Sequence, residues 1–248
     1  MENSELLKRA EDLRARCERS CSLTHTQFLT PAESYEIARW AKGRPECNLV
    51  FSGGGAGRER TAAFFLPYYM DEESFDVSEY ISAMEITAHF GAPGHRDYMG
   101  AILGMGIGRE WLGDIQVVDN VAYIFCMPSV LEHLLGLDKV GRCGVKTRRL
   151  ELSQVPAAQR KVKEVSFSVM SMRLDAVAAG LFGLSRSDCA KKIAEGRLSL
   201  NYAETLKCDA PVKAGDIISL RGLGKGEITG TGGSSRKGRL FVYGRIYK

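Results

Sequence analysis

The chain has 248 residues, 44% hydrophobic and 26% charged, with a formal net charge of +4. That is an ordinary globular composition with room for one to three domains, and no stretch approaches the roughly 18 apolar residues of a membrane span, so a chain with no membrane partner is expected. The charge is uneven: 10 Lys and Arg face 14 Asp and Glu in residues 1–80, 8 face 8 in 81–160, and 16 face 8 in 161–248.

A basic excess confined to the last third directs the search for a polyanionic partner there. Seven scattered cysteines, at 17, 21, 47, 126, 143, 189 and 208, form no disulfide framework and predict reduced thiols in a cytoplasmic protein. The charged opening, MENSELLKRAEDLRARCERS, predicts no secretory leader.

Taken in chain order, the elements suggest an α+β protein of three small modules. Residues 1–76 read as an N-terminal α/β domain. A charged helix over 2–20 is followed by TPAESYEIARWAKG, where Thr30 is an N-cap, Pro31 suits the first helical position and Glu33 completes a capping box. The apolar runs 47–53 and 61–70 flank GGGAGRER and predict a hairpin. That loop lacks the Gly-Lys-Ser/Thr of a P-loop and the spaced glycines of a dinucleotide fingerprint. Cys17, Cys21 and His25 have metal-like spacing but no fourth ligand, so neither metal nor cofactor is expected. The acidic DEESFD marks a boundary.

Residues 77–160 read as β-α-β-β-α-β, the split order of ferredoxin-like domains, which RNA-recognition motifs (RRMs) also use. ISAMEITAHF is the first strand and HRDYMGAILGMG the first helix. WLGDIQVVD and VAYIFCMP pair about an Asp119-Asn120 turn. SVLEHLLGLDKV is a helix capped by Ser129 with Glu132 three residues on, and GVKTRRLEL closes the module. Tyr123 and Phe125 alternate on the third strand and serve either as stacking platforms or as core. His95, Arg96 and Asp97 open a helix without a nucleophile or metal beside them, so no catalytic residue is assigned.

Residues 165–248 read as two helices followed by short strands. Leu174, Val177, Ala178 and Leu181 form one helical stripe. In the next helix Ser185 is the cap, with Asp188 three residues on. Cys189, Ala190, Ile193 and Ala194 share a buried face, opposite Asp188, Lys191, Lys192 and Glu195. The cations Arg173, Arg186, Lys191, Lys192 and Arg197 crowd into 25 residues, and Lys207, Lys213, Arg221 and Lys225 follow. Only Phe182 and Tyr202 are interleaved among them, so phosphate contact rather than base stacking is expected. Arg58, Arg60, Arg96 and Arg109 are secondary candidates for RNA contact.

The run RLDAVAAGLFGLSRSDCAKKIAEGRLSLN, with PVKAGDIISLRG, resembles the S4 RNA-binding domain over about 55 residues. By that resemblance RNA contacts fall on Arg173, Ser185, Arg186, Lys191, Lys192, Arg197 and Asn201, with Lys207 and Arg221 flanking them. Asp175, Gly215 and Asp216 are architectural. Tyr202-Ala203 stands where the family usually has a glycine turn. Together with GHRDYMGAILGMGIGREWLGDI, the chain resembles the bacterial YlmH family over most of its length. That resemblance implies a non-enzymatic RNA-binding protein at the large ribosomal subunit, touching 23S ribosomal RNA and tRNA in quality control of stalled nascent chains. A protein partner for the acidic N-terminal domain is compatible with it. The rival is an RNA-modifying enzyme, a pseudouridine synthase or methyltransferase, with an S4 targeting domain.

Overall fold

A computed structural model describes residues 2–157, 162–234 and 238–247. Residues 1–158 form one compact unit and residues 159–248 a second. Both mix helix and sheet, so the protein is α+β.

The first unit opens with α1 (Glu2–Ser20), β1 (Thr24–His25), α2 (Pro31–Ala41), β2 (Leu49–Ser52) and β3 (Ala62–Phe65). The capping box forms as the residues predict: the Glu33 N–H donates to Thr30 Oγ1, and the Glu33 carboxylate accepts from the Thr30 N–H at 2.7 Å. β3 is the central strand of an antiparallel sheet ordered β1-β3-β2, and all four of its residues are buried. The period-2 alternation of a strand divides them between two cores. Ala63 and Phe65 join Ala10, Cys17 and Ile37 beneath α1 and α2. Ala62 and Phe64 face the opposite way, toward Phe28, Ala83 and Phe125.

The unit continues with β4 (Ser82–Ala88), α3 (His95–Gly104), β5 (Leu112–Val118), β6 (Val121–Cys126), α4 (Pro128–Leu135), β7 (Lys139–Val140) and β8 (Cys143–Leu150). Its antiparallel sheet is ordered β5-β6-β4-β8-β7. One face, with Met84, Ile86, Ala122 and Ile124, packs under α3 and α4 on Tyr98, Ile102, Leu131 and Leu134. The other face carries Ala83, Phe125 and Leu150 and is covered by Phe28, Phe64 and Ile81. The expected boundary near residue 76 therefore falls inside this unit, across a shared core.

Local details differ from the sequence reading. α4 is capped by Met127, not Ser129, because Pro128 takes the first helical position, where its missing N–H costs nothing. Lys139 and Val140, expected as the end of that helix, form β7 instead. Phe125 is fully buried, which resolves its role as core; Tyr123 packs half-buried at the edge of the same cluster.

The second unit contains β9 (Val162–Val169), α5 (Leu174–Phe182), α6 (Arg186–Ala194), β10 (Leu198–Leu200), β11 (Ala203–Glu204), β12 (Ile217–Leu220), β13 (Gly224–Ser234) and β14 (Leu240–Tyr247). They make one antiparallel sheet, β11-β10-β12-β13-β14-β9. Leu174, Val177, Ala178 and Leu181 of α5 are buried as a stripe against Val169, Ile228 and Val242. Close approach is possible because Gly226 and Gly244 lie beneath Leu181, where a Cβ would come within 2.9 Å of its side chain. β9 precedes the helices, where the sequence reading places no strand. It pairs along its full length with the distant β14, and Val165, Phe167 and Val169 turn inward at alternate positions.

Candidate nucleic-acid interface

The α5–α6 corner gathers the cations around one buried carboxylate. Asp175, 5% exposed, begins α5 and accepts from the Ala176 N–H at 2.8 Å. Arg173 caps the helix and donates Nε to Asp175 Oδ1 at 3.3 Å and Nη2 to Oδ2 at 3.4 Å. Arg186, in the first turn of α6, brings Nε and Nη2 to Oδ2, each at 2.9 Å. Burial alone would push the Asp175 carboxyl up, but hydrogen bonds and charge from the two guanidiniums outweigh it and hold the group below the usual carboxylate value. Each guanidinium commits Nε and Nη2 to Asp175. The arginine side chains remain 42% and 59% exposed, so two forks face solvent in fixed orientations.

α6 extends that edge. Ser185 is its N-cap: Oγ accepts from the Asp188 N–H at 3.1 Å and bonds the Asp188 carboxylate at 2.6 Å. Cys189 and Ile193 are buried, as their spacing predicts, but Ala194, expected on the same face, is exposed at the last turn. Lys191 is exposed and Lys192 half-exposed; neither is in an ion pair among the described residues. They stand in the last turn, where the helix dipole favours cations. Arg197 follows, paired with Glu195 at 3.1 Å, and its carbonyl accepts from the Arg221 N–H, which ties the two residues together through β10 and β12.

Other candidates are placed differently. Asn201 has φ 51°. Its amide donates to Asp216 at 2.9 Å and its carbonyl accepts from the Ile217 N–H at 2.9 Å. Both ends of that side chain are committed to the start of β12, so it ties the β10–β11 turn to that strand as an architectural residue. Asp216 also holds the Lys213 N–H. Lys207 and Arg221 are exposed.

In the first unit the four arginines divide among buried, half-buried and exposed positions. Arg60 is 8% exposed and donates to the carbonyls of Leu112, Phe28 and Arg109. It stitches the N-terminal strands to β5, which removes it from the RNA-facing residues. Burial and the neighbouring Arg109 charge pull its pKa down. Arg58 lies 4.1 Å above the Phe125 ring and donates to Gln116 at 2.8 Å. Arg96 and Arg109 are exposed. Asp97 accepts from the Gly94 N–H at 2.8 Å, the work of a helix cap. Among the described residues no group of three or more His, Cys, Asp or Glu is arranged to hold a metal, and no helix is long and apolar enough to cross a membrane.

Residues 71–154 match the family model described as "Putative RNA-binding domain in YlmH". Over 220 residues, 88% of this chain and 84% of the relative, the sequence is 27% identical to the "Ribosome-associated protein quality control protein P2" of Bacillus subtilis (strain 168). The chain is thus similar to YlmH proteins. A solved YlmH structure, the "Cell division protein ylmH from Streptococcus pneumoniae", aligns with a TM-score of 0.54 at 24% identity, covering 62% of this chain and 94% of that one. At that identity the likeness bears on the fold. The YlmH match falls within the first unit, whereas the converging cations lie in the second.

Proposed function

We propose that this protein is a member of the YlmH family and acts as a cytoplasmic, non-enzymatic RNA-binding protein that clamps structured RNA along the α5–α6 edge. The observation that carries the reading is the pair of guanidiniums oriented by Asp175, continued by Lys191, Lys192 and Arg197. Oriented forks suit phosphate oxygens, and contacts to backbone rather than bases suit a folded duplex. The printed name of the Bacillus subtilis relative supports a ribosome-associated role in quality control, and within it we take ribosomal RNA and tRNA at the large subunit, during quality control of stalled nascent chains, as the target. We read three modules in this frame: an N-terminal α/β segment over 1–76, an RRM-like domain over 77–160 and an S4 domain over 165–248. The strand order β5-β6-β4-β8 with α3 and α4 on one face supports the second. The N-terminal segment is a candidate surface for a protein partner.

The enzyme reading is disfavoured by the same carboxylate. Asp175 sits in an Arg-Leu-Asp run that superficially matches the synthase aspartate, yet it is buried and held by two arginines. A catalytic aspartate must reach its substrate. Replacing Arg186, Lys191 and Lys192 together by alanine is expected to abolish co-sedimentation with the large ribosomal subunit while leaving the far-UV circular dichroism intact, with affinity in the unaltered protein falling steeply with salt. Unchanged co-sedimentation refutes the placement, and an altered base that depends on the protein restores the enzyme.

A further inference from the structure

The sheet of the second unit has two faces. Val242 and Ile246 of β14 turn toward α5, and Gly244 lies beneath Leu181. The alternate residues, Phe241, Tyr243, Arg245 and Tyr247, therefore lie on the face away from the helices. Phe241 is 41% exposed and Tyr243 47%. Their cross-strand neighbours are small: Ser168 stands opposite Phe241, and Ser166 and Gly230 stand either side of Tyr243. Gly232 lies against the outer part of the Tyr243 ring, where a Cβ would come within 2.9 Å of its hydroxyl and 3.1 Å of Cε2. The glycines of β13 thus divide by role, Gly226 admitting Leu181 on one face and Gly232 admitting Tyr243 on the other.

We infer that this outer face of β9, β13 and β14 binds unpaired RNA nucleotides, stacking bases on Phe241 and Tyr243. Residues two apart on a strand are separated by about 6.8 Å, twice the roughly 3.4 Å rise of a stacked strand, so an extended chain can lay one base on each ring. Arg239 lies two residues before Phe241 and donates to the Ser168 carbonyl at 2.7 Å. At the other end Lys225 sits 5.4 Å from the Tyr247 ring centroid. Arg245 stands between Glu227 and Glu164 in the register. Three cations thus face two carboxylates, in a segment with 16 basic against 8 acidic residues over 161–248, a charge balance suited to a phosphate chain. A protein partner wants an apolar pocket for an anchoring side chain. This surface is instead two rings set in serine and glycine, and every base offers a π-face to such a platform.

The inference takes its class of partner from the RNA-binding reading but uses other residues and another form of RNA. The full chain is titrated with a blunt RNA hairpin and with the same hairpin carrying an unpaired oligouridine extension. The extension is expected to tighten binding. The double substitution Phe241→Leu/Tyr243→Leu, which keeps apolar bulk and removes the rings, is expected to erase that gain, roughly 5- to 150-fold per stacked base, and to leave the blunt hairpin unchanged. The exchange Phe241→Tyr/Tyr243→Phe keeps both rings and is expected to keep the gain, whereas Gly232→Val, which displaces the Tyr243 ring, is expected to reduce it. The inference is overturned by an extension that adds nothing in the unaltered chain, by a leucine variant that retains the gain, or by equal losses on both probes. It is also overturned, in favour of a protein partner, if the extension adds nothing while the leucine variant loses ribosome co-sedimentation. Failure of the blunt hairpin alone counts against the α5–α6 clamp, and a tightened extended probe still supports this second surface.

Discussion

Asp175→Asn separates orientation from charge. The substitution removes a carboxylate from beneath two arginines, so the net charge of the edge rises by one and simple attraction to RNA grows. At about 6 Å from a phosphate in water's dielectric, that gain is roughly 0.7 kcal/mol. Against it, the amide leaves one neutral acceptor oxygen where two charged ones held Arg173 and Arg186, and re-ordering each loosened arginine on RNA costs about 0.5–1.5 kcal/mol. The two costs sum to more than the gain, leaving a net loss of roughly 1 kcal/mol, about five-fold in Kd. The assay is fluorescence anisotropy of a structured RNA at fixed salt, with circular dichroism confirming the fold. An unchanged or tighter Kd refutes the claim that Asp175 orients the arginines.

The same group predicts a pH signature. Its folded pKa is depressed, so its contribution to stability is fully present above the ordinary unfolded value of about 3.9 and is lost as pH falls through the lower folded value. Urea titrations of the unaltered protein and Asp175→Asn should differ at neutral pH and converge only below about pH 4.

Two further outcomes test the cores. A Cβ at Gly113 would lie 2.7 Å from Phe28 Cε1 and 2.9 Å from Phe125 Cβ, so Gly113→Ala should destabilise the first unit by about 1–3 kcal/mol in urea unfolding without changing RNA affinity. Cys189 is fully buried and its thiol is pushed up to about 11 by burial, so iodoacetamide at neutral pH should modify the exposed Cys21 in the native protein and Cys189 only after denaturation.

Short-range chemistry was legible in the chain because its causes are local. Thr30, Pro31 and Glu33 start α2 through contacts within three residues. Ser185 and Asp188 start α6 in the same way, and Leu174, Val177, Ala178 and Leu181 declare a buried stripe by period alone. The basic excess of the last third needs only counting. The elements that went unread are those whose partners are far away. β9 has a clear inward alternation at Val165, Phe167 and Val169, but its strand partner lies more than 70 residues later.

Composition and spacing by themselves determined an α+β protein with its cations gathered in one C-terminal module. Tertiary structure decided which of those cations can act. It drew Arg60 into the core, committed Asn201 to a turn, and brought Arg173 and Arg186 to one carboxylate. It also buried Phe125 while leaving Phe241 and Tyr243 in the open. Side-chain type specifies what a group can bind, whereas exposure and orientation depend on long-range packing of segments that no local pattern encodes.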